Sequence, residues 1–303
     1  MTGMSDTPEA WLDARAARRG FERAAVSSAT VDVLAREIEQ RMAERLDLVR
    51  VEPRRILDVG CGAGPSRMHL AKRYPKAVVV GVDSAWEMLR QAAGQSLVAR
   101  VRRLLARQPP RNVCADFGAL PFPLGSFSMA WSNLALAWAP DPMRVFGELH
   151  RVLSPGGLLM FSSYGPDTLK ELRTAFEEVD SHPHTHRFLD MHDLGDMLVG
   201  SGFVAPVMDM ELVTLTFRDF DALARDLRLS GQSNAARGRR RGLLGKGAYA
   251  RMRAAYESAR RDGQLPATVE VIYGHAWRGE PRLTRDGRNV IKLDTASRRR
   301  SAA

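Results

Sequence analysis

The sequence predicts an α/β protein, a doubly wound and mostly parallel sheet with an antiparallel strand near its C-terminal end. Three observations carry that prediction. Short apolar runs alternate with helix-patterned segments between residues 53 and 165. The first run, Arg55-Ile56-Leu57-Asp58-Val59, passes straight into Gly60, Gly62 and Gly64 at alternate positions. The second, Val78-Val79-Val80-Gly81-Val82, ends on an acid, Asp83. Ligands of open parallel sheets bind beyond the carboxyl ends of the strands, where these glycines and this acid fall.

The elements follow in order. Residues 1–12 read as a loose start. From Trp11 to Leu48 one helical pattern runs, with Val33, Leu34, Ile38, Met42, Leu46 and Leu48 at helix-like spacing. It ends at Glu52-Pro53, since the residue before a proline is driven out of the helical region. Strands are expected at 56–59, 77–82, 112–115, 128–131 and 158–162. Helices are expected at 65–73, 85–93, 94–108 and 142–153, the last stopping at Ser154-Pro155-Gly156-Gly157. Beyond Tyr164 the pattern predicts helices at 168–179, 191–201, 221–229 and 248–261. It also predicts two strands at 204–210 and 211–217, and a closing strand at 268–277. The domains read as an N-terminal helical cap (1–52), a ligand-binding core (53–165), a part completing the sheet (166–278) and a basic disordered tail (279–303).

Composition bounds the function. At 303 residues and 45% apolar the chain can bury a sizeable core. No uninterrupted apolar run is long enough to span a bilayer, and the start lacks an apolar signal core, so a cytoplasmic protein is expected. The only cysteines, Cys61 and Cys114, leave no disulfide framework. The formal charge of +10 is uneven. Arg237, Arg239, Arg240, Arg241, Lys246, Arg251 and Arg253 lie within residues 231–256 with no acid among them. Such a block attracts a polyanion or an acidic protein. No aromatic interleaving accompanies the arginines, so nucleic acid is not expected. His182, His184 and His186 alternate, but Pro183 interrupts them and no cysteine or acid is spaced as in a zinc site. A polar loop without metal is expected there.

The glycine loop narrows the ligand. A dinucleotide site uses G-x-G-x-x-G, with a diphosphate on the helix N-terminus. Here the third glycine comes one position early, and Asp58 lies in the strand just before the turn. An acid at that place repels a diphosphate and suits a cation. The sulfonium and ammonium of S-adenosylmethionine answer that description. Asp83, with acceptor oxygens only, suits two ribose hydroxyls. Asp116 could accept from an adenine amino group with Phe117 against the ring, and Asn133 and Leu134 would floor the sulfonium. Cys61 reads as a small packing residue.

The glycine loop, Asp83, Asp116 and the turn Arg151-Val152-Leu153-Ser154-Pro155-Gly156-Gly157 together resemble Rossmann-like class I S-adenosylmethionine-dependent methyltransferases. Further motifs narrow the resemblance: Phe21-Glu22-Arg23-Ala24-Ala25, Ser132-Asn133-Leu134-Ala135-Leu136-Ala137-Trp138, Gly165-Pro166-Asp167-Thr168-Leu169, Arg187-Phe188-Leu189-Asp190-Met191-His192-Asp193 and Leu265-Pro266-Ala267-Thr268. They are similar to the BioC family, the malonyl-[acyl-carrier protein] O-methyltransferases of biotin biosynthesis, over residues 20–278. Ser28 stands where that family usually has a lid tyrosine. The region Gly231-Gln232-Ser233-Asn234-Ala235 is also similar to a complex I assembly factor resembling an arginine hydroxylase, so a donor-binding hydroxylase or assembly factor stays open. So does a small-molecule or RNA methyltransferase.

The resemblance implies methylation of the free carboxyl of a malonyl thioester on an acidic acyl carrier protein. A carboxylate is already a nucleophile at neutral pH, so no general base is required. Arg187 is the candidate grip on that carboxylate, because arginine binds carboxylates bidentately. Trp138 and Tyr164 are candidate apolar walls. The basic block, Arg237 to Arg253, would dock the carrier.

Overall fold

The computed structural model describes residues 11–92 and 112–280. The helix expected at 94–108 and the tail beyond 280 lie outside the described residues. The N-terminal part folds as α1 (Ala14–Ala24), α2 (Ser28–Val31) and α3 (Val33–Arg45). The core runs β1 (Arg55–Val59), α4 (Pro65–Arg73), β2 (Val78–Asp83), α5 (Trp86–Ala92), β3 (Asn112–Cys114), β4 (Phe127–Ser132), α6 (Pro142–Val152) and β5 (Leu153–Tyr164). After it come α7 (Lys170–Glu177), α8 (Met191–Gly200), β6 (Phe203–Phe217), α9 (Phe220–Leu229), α10 (Lys246–Glu257) and β7 (Leu265–Arg278).

The sheet order is β3-β2-β1-β4-β5-β7-β6. The first five strands pair in parallel, and β7 pairs antiparallel with both β5 and β6. The chain therefore steps outward from β1, then returns to lay β4 on its other side. The crevice of such a sheet opens where the order reverses, between β1 and β4.

Strand period decides which face each residue takes. Leu57 and Val59 of β1 enter the core with Phe146, Leu149 and Phe161. Ile56 enters the opposite core with Ile38, Met42, Met129 and Trp131. Asp58 alternates with Leu57 and Val59, so it turns to the α3 face, where it is 1% exposed. Four helices start on an aspartate whose side chain accepts from the first turn: Asp13, Asp141, Asp190 and Asp219. Such caps contribute about 1 kcal/mol each.

Three expectations need correction. The single helical pattern at 11–48 is broken into α1, α2 and α3, with Asp32 at ψ 55° between the last two. The breaks fold α1 back so that Ala24 and Ala25 pack on Ala85 and Met88 at the end of β2. The stretch Ser154-Pro155-Gly156-Gly157 opens β5 rather than a loop, because Leu153 already pairs with Phe127 and the register shifts before Met129 meets Leu158. The strands expected at 204–210 and 211–217 are one strand of 15 residues. Pro206 lies within it, because β6 is an edge strand, where a missing N–H and a local register shift are tolerated.

Candidate functional site

The glycine turn is tied to β2. The Gly60 and Cys61 N–H groups both donate to the Val82 carbonyl, at 2.8 and 3.1 Å. Gly60 holds φ +71°, and a Cβ there would lie 2.1 Å from the Ala135 Cβ, so no other residue fits. Gly62 holds φ +50° with nothing within 4 Å of a built Cβ, which leaves its outer side open. Gly64 caps α4 with φ +88°.

Asp83 organises this turn. Its Oδ2 accepts from the Gly62 N–H at 2.9 Å and its Oδ1 from the Ala85 N–H at 2.7 Å. Each oxygen keeps a further lone pair, enough for two vicinal hydroxyls. Burial pushes its pKa up, and the backbone donors pull the other way. Phe117 approaches the same turn, its Cζ 3.6 Å from a Cβ built on Gly60. Asp116 is exposed, and its Oδ1 accepts from the Gly118 N–H at 2.7 Å.

Asp58 lies beneath the turn. Its Oδ2 is buried with no hydrogen-bond partner among the described residues. Burial, then the neighbouring Glu39, pushes its pKa up to about 8, against the pull of Arg67. Glu39 on α3 is itself buried, with an unpartnered Oε1, and burial raises it to about 6. Two adjacent buried carboxyl groups, each with one oxygen unpartnered among the described residues and with Ser66 bonded to Glu39, make a place for a cation. The turn therefore offers a buried acid at Asp58, free acceptor capacity at Asp83 and open space over Gly62. Cys61 is buried, and burial pushes its thiol up, so it stays protonated.

Asn133 follows β4 and has a framework task. Its amide donates to the Ala35 carbonyl at 2.8 Å, and its Oδ1 accepts from the Ser162 hydroxyl at 2.8 Å. Leu134 then turns at φ +58°, its N–H donating to Ser162 Oγ at 2.9 Å. The floor of the crevice is thus stapled to α3 and β5 together. Ser28 is buried on α2, its hydroxyl 3.7 Å from Met88 Sδ.

Beside this crevice lies a cavity of about 440 Å³. Trp138, Tyr164, Phe188 and His186 line it, with Asp32, Asp226 and Gln232 among the polar lining groups. Trp138 meets Phe21 of α1 edge-on at 4.9 Å and His186 at 4.5 Å. Tyr164 donates to Gln232 Oε1 at 3.0 Å, and burial pushes its phenol up. Burial raises Asp32 to about 6 and raises Asp226 as well. Arg187 is exposed and outside the cavity lining, whereas its neighbours His186 and Phe188 are buried in that lining.

The histidine trio holds no metal cluster among the described residues. His184 stacks on Phe176 at 3.7 Å and lies 2.9 Å from Asp180. That same acid pairs with Arg240 at 3.2 Å. Arg239 pairs with Asp13 at 2.9 Å and Arg253 with Asp221 at 3.3 Å. The basic block, free of acids in sequence, therefore draws acids from elsewhere in the fold. Arg237, Arg241, Lys246 and Arg251 remain exposed, beside Leu243, which is 95% exposed.

Pattern reading passed over Glu39 beside Asp58 and Asp32 in the cavity lining, and took His186 only as part of a polar loop and Gln232 only as part of a motif. Glu39 had a signal, an acid inside the run of buried positions Ile38, Met42 and Leu46. His186 had one too, since it alternates with Phe188. Gln232 had one in the Gly231–Ala235 motif, whereas Asp32 had none, because distant segments bring it to the cavity.

The fold and this site define a class I S-adenosylmethionine-dependent methyltransferase. The family model described as a methyltransferase domain matches residues 57–161. The solved YcgJ protein from Bacillus subtilis aligns with a TM-score of 0.55, at 15% identity, over 80% of this chain and 99% of that one. The malonyl-[acyl-carrier protein] O-methyltransferase of Gallionella capsiferriformans is 50% identical over 93% of this chain and 96% of its own length. That of Laribacter hongkongensis is 49% identical over 93% and 96%. The chain belongs to the malonyl-[acyl-carrier protein] O-methyltransferase family. Among the described residues no helix is long and apolar enough to cross a membrane.

Proposed function

We propose that the protein methylates the free carboxyl of malonyl-[acyl-carrier protein], giving the methyl ester that enters the pimeloyl branch of biotin synthesis in the cytoplasm. The half-identity to malonyl-[acyl-carrier protein] O-methyltransferases over nearly both full lengths carries this reading. It favours methyl transfer over the hydroxylase-like alternative.

When bound, S-adenosylmethionine supplies a sulfonium-borne methyl group, which passes to a carboxylate oxygen while the C–S electron pair stays on sulfur. The chain's residues position and desolvate. Asp58 with Glu39 offers negative charge to the donor's cationic end, Asp83 takes the ribose, and Asp116 with Phe117 takes the base. Gly60, Gly62 and Gly64 shape the turn, and Asn133 holds the floor. Trp138 and Tyr164 exclude water from the cavity, where an unhydrated carboxylate is a better nucleophile. Arg187 is the sequence-based candidate for the carboxylate. Residues 1–52 act as a cap, 53–165 bind the donor, and 166–278 receive substrate and carrier.

The test is direct. Purified protein, S-adenosylmethionine and malonyl-carrier protein should yield a malonyl methyl ester by mass spectrometry; intact donor binding with no ester would sink the reading. The acidic carrier docks on the exposed cations Arg237, Arg241, Lys246 and Arg251, with Leu243 as an apolar contact, and Arg239, Arg240 and Arg253 add charge behind them. Reversing Arg237, Arg241 and Arg251 to glutamate should raise KM for the carrier substrate about tenfold. A small malonyl thioester should keep its KM. Equal effects on both substrates would remove this face from docking.

A further inference from the structure

His186 is 4% exposed on the cavity wall, its ring 4.5 Å from both Trp138 and Phe188. Its Nε2 has no hydrogen-bond partner among the described residues, and neither has the adjacent Thr185 Oγ1. Both residues line the cavity. Leaving two buried polar groups unmatched costs about 1–3 kcal/mol each, a penalty that a ligand with two acceptor oxygens removes.

The charge distribution says which part of a substrate belongs there. Asp32, Asp226 and the exposed cation Arg228 also line the cavity, and the field of the two acids reaches Tyr164. At His186 burial alone acts, lowering its pKa to about 4 with no charged neighbour involved. An anionic group entering the cavity is thus repelled by Asp32 and Asp226, meets Arg228 on the exposed part of the lining, and at Thr185 and His186 finds buried polar groups with no charged neighbour. The imidazole is uncharged at neutral pH, so it can fix a carboxylate without the tight ion pair that would draw charge off the attacking oxygen.

Resting on the methyltransferase reading above, we propose that Thr185 and His186, rather than Arg187, receive the free carboxylate of the substrate. The Nε2–H and Oγ1–H each donate to one oxygen, and the pair selects a short acyl thioester that ends in a carboxylate.

The experiment compares His186→Phe, His186→Gln, Thr185→Val and Arg187→Ala in the full chain. Kinetics use malonyl-carrier protein, and acetyl-carrier protein serves as a competitive inhibitor lacking the carboxylate. His186→Phe keeps the ring between Trp138 and Phe188 but removes the donor. It should lower kcat/KM for malonyl-carrier protein about 10- to 100-fold, the worth of a hydrogen bond to a charged group. Donor affinity and the inhibition constant of acetyl-carrier protein should stay as in wild type. His186→Gln, which restores a donor, should recover a large part of the loss, and Thr185→Val should lose about five- to tenfold. Unchanged kcat/KM in His186→Phe overturns the proposal. So does an equal loss of malonyl and acetyl affinity, or a selective loss in Arg187→Ala with none in His186→Phe. A wild-type protein that binds donor but esterifies no malonyl thioester overturns the underlying reading instead, and this inference falls with it.

Discussion

Asp83→Ala should weaken S-adenosylmethionine binding about 100-fold or more, read by titration calorimetry. The carboxylate has one lone pair on each oxygen beyond those used by the Gly62 and Ala85 N–H groups. Two hydrogen bonds to an ionised acceptor are worth about 1.5–3 kcal/mol apiece, and each 1.4 kcal/mol is tenfold in affinity. The substitution also strands two backbone donors, so the turn loosens as well. Asp83→Asn separates these effects in part, because its side-chain oxygen keeps one backbone bond and one acceptor site while its amide loses the other backbone bond and the charge. It should bind donor at an intermediate level with a melting transition between those of wild type and Asp83→Ala. Donor affinity within about threefold of wild type in Asp83→Ala would remove the ribose role from this residue.

What was legible in the sequence was whatever neighbours in the chain decide. The turn at Gly60, Gly62 and Gly64 holds positive φ at all three, and at Gly60 it also needs a missing Cβ, which glycine meets best, so the letters alone show it. The alternation of β1 already implied that Asp58 shares a face with Ile56. Long-range pairing was not legible. Arg239, Arg240 and Arg253 read as part of one acid-free block open to an acidic partner, yet Asp13, Asp180 and Asp221 come from three other segments to meet them. The stretch 204–217 reads as two strands divided at 210/211, because nothing local says that one long strand runs along the sheet edge beside β7. Arg187 was the natural choice for a carboxylate by charge. The extended segment instead turns His186 and Phe188 inward and leaves Arg187 exposed.

Asp58→Asn should uncouple donor binding from protons. In the free protein, burial and Glu39 push Asp58 up to about 8, so near neutral pH it is mostly protonated. A cationic donor favours the ionised form, and binding at pH 7 should release a proton. Calorimetry in two buffers of different ionisation enthalpy measures that release directly. Glu39, raised to about 6, shares the site, so the titration belongs to the pair, and Arg67 and Asp83 bias it from either side. Stability carries the same signature with a definite sign. The native pKa of Asp58, about 8, lies above its unfolded value of about 3.9, so its contribution is fully present below pH ~4 and is lost as pH rises through about 8. Donor-free wild type should therefore lose melting temperature between neutral pH and pH ~9. The asparagine variant, which has no proton to lose, should fall less over that window and bind donor about 10- to 100-fold more weakly. Wild-type binding that releases no proton, or a variant with wild-type affinity, would show that the donor's cationic end does not answer to this buried acid.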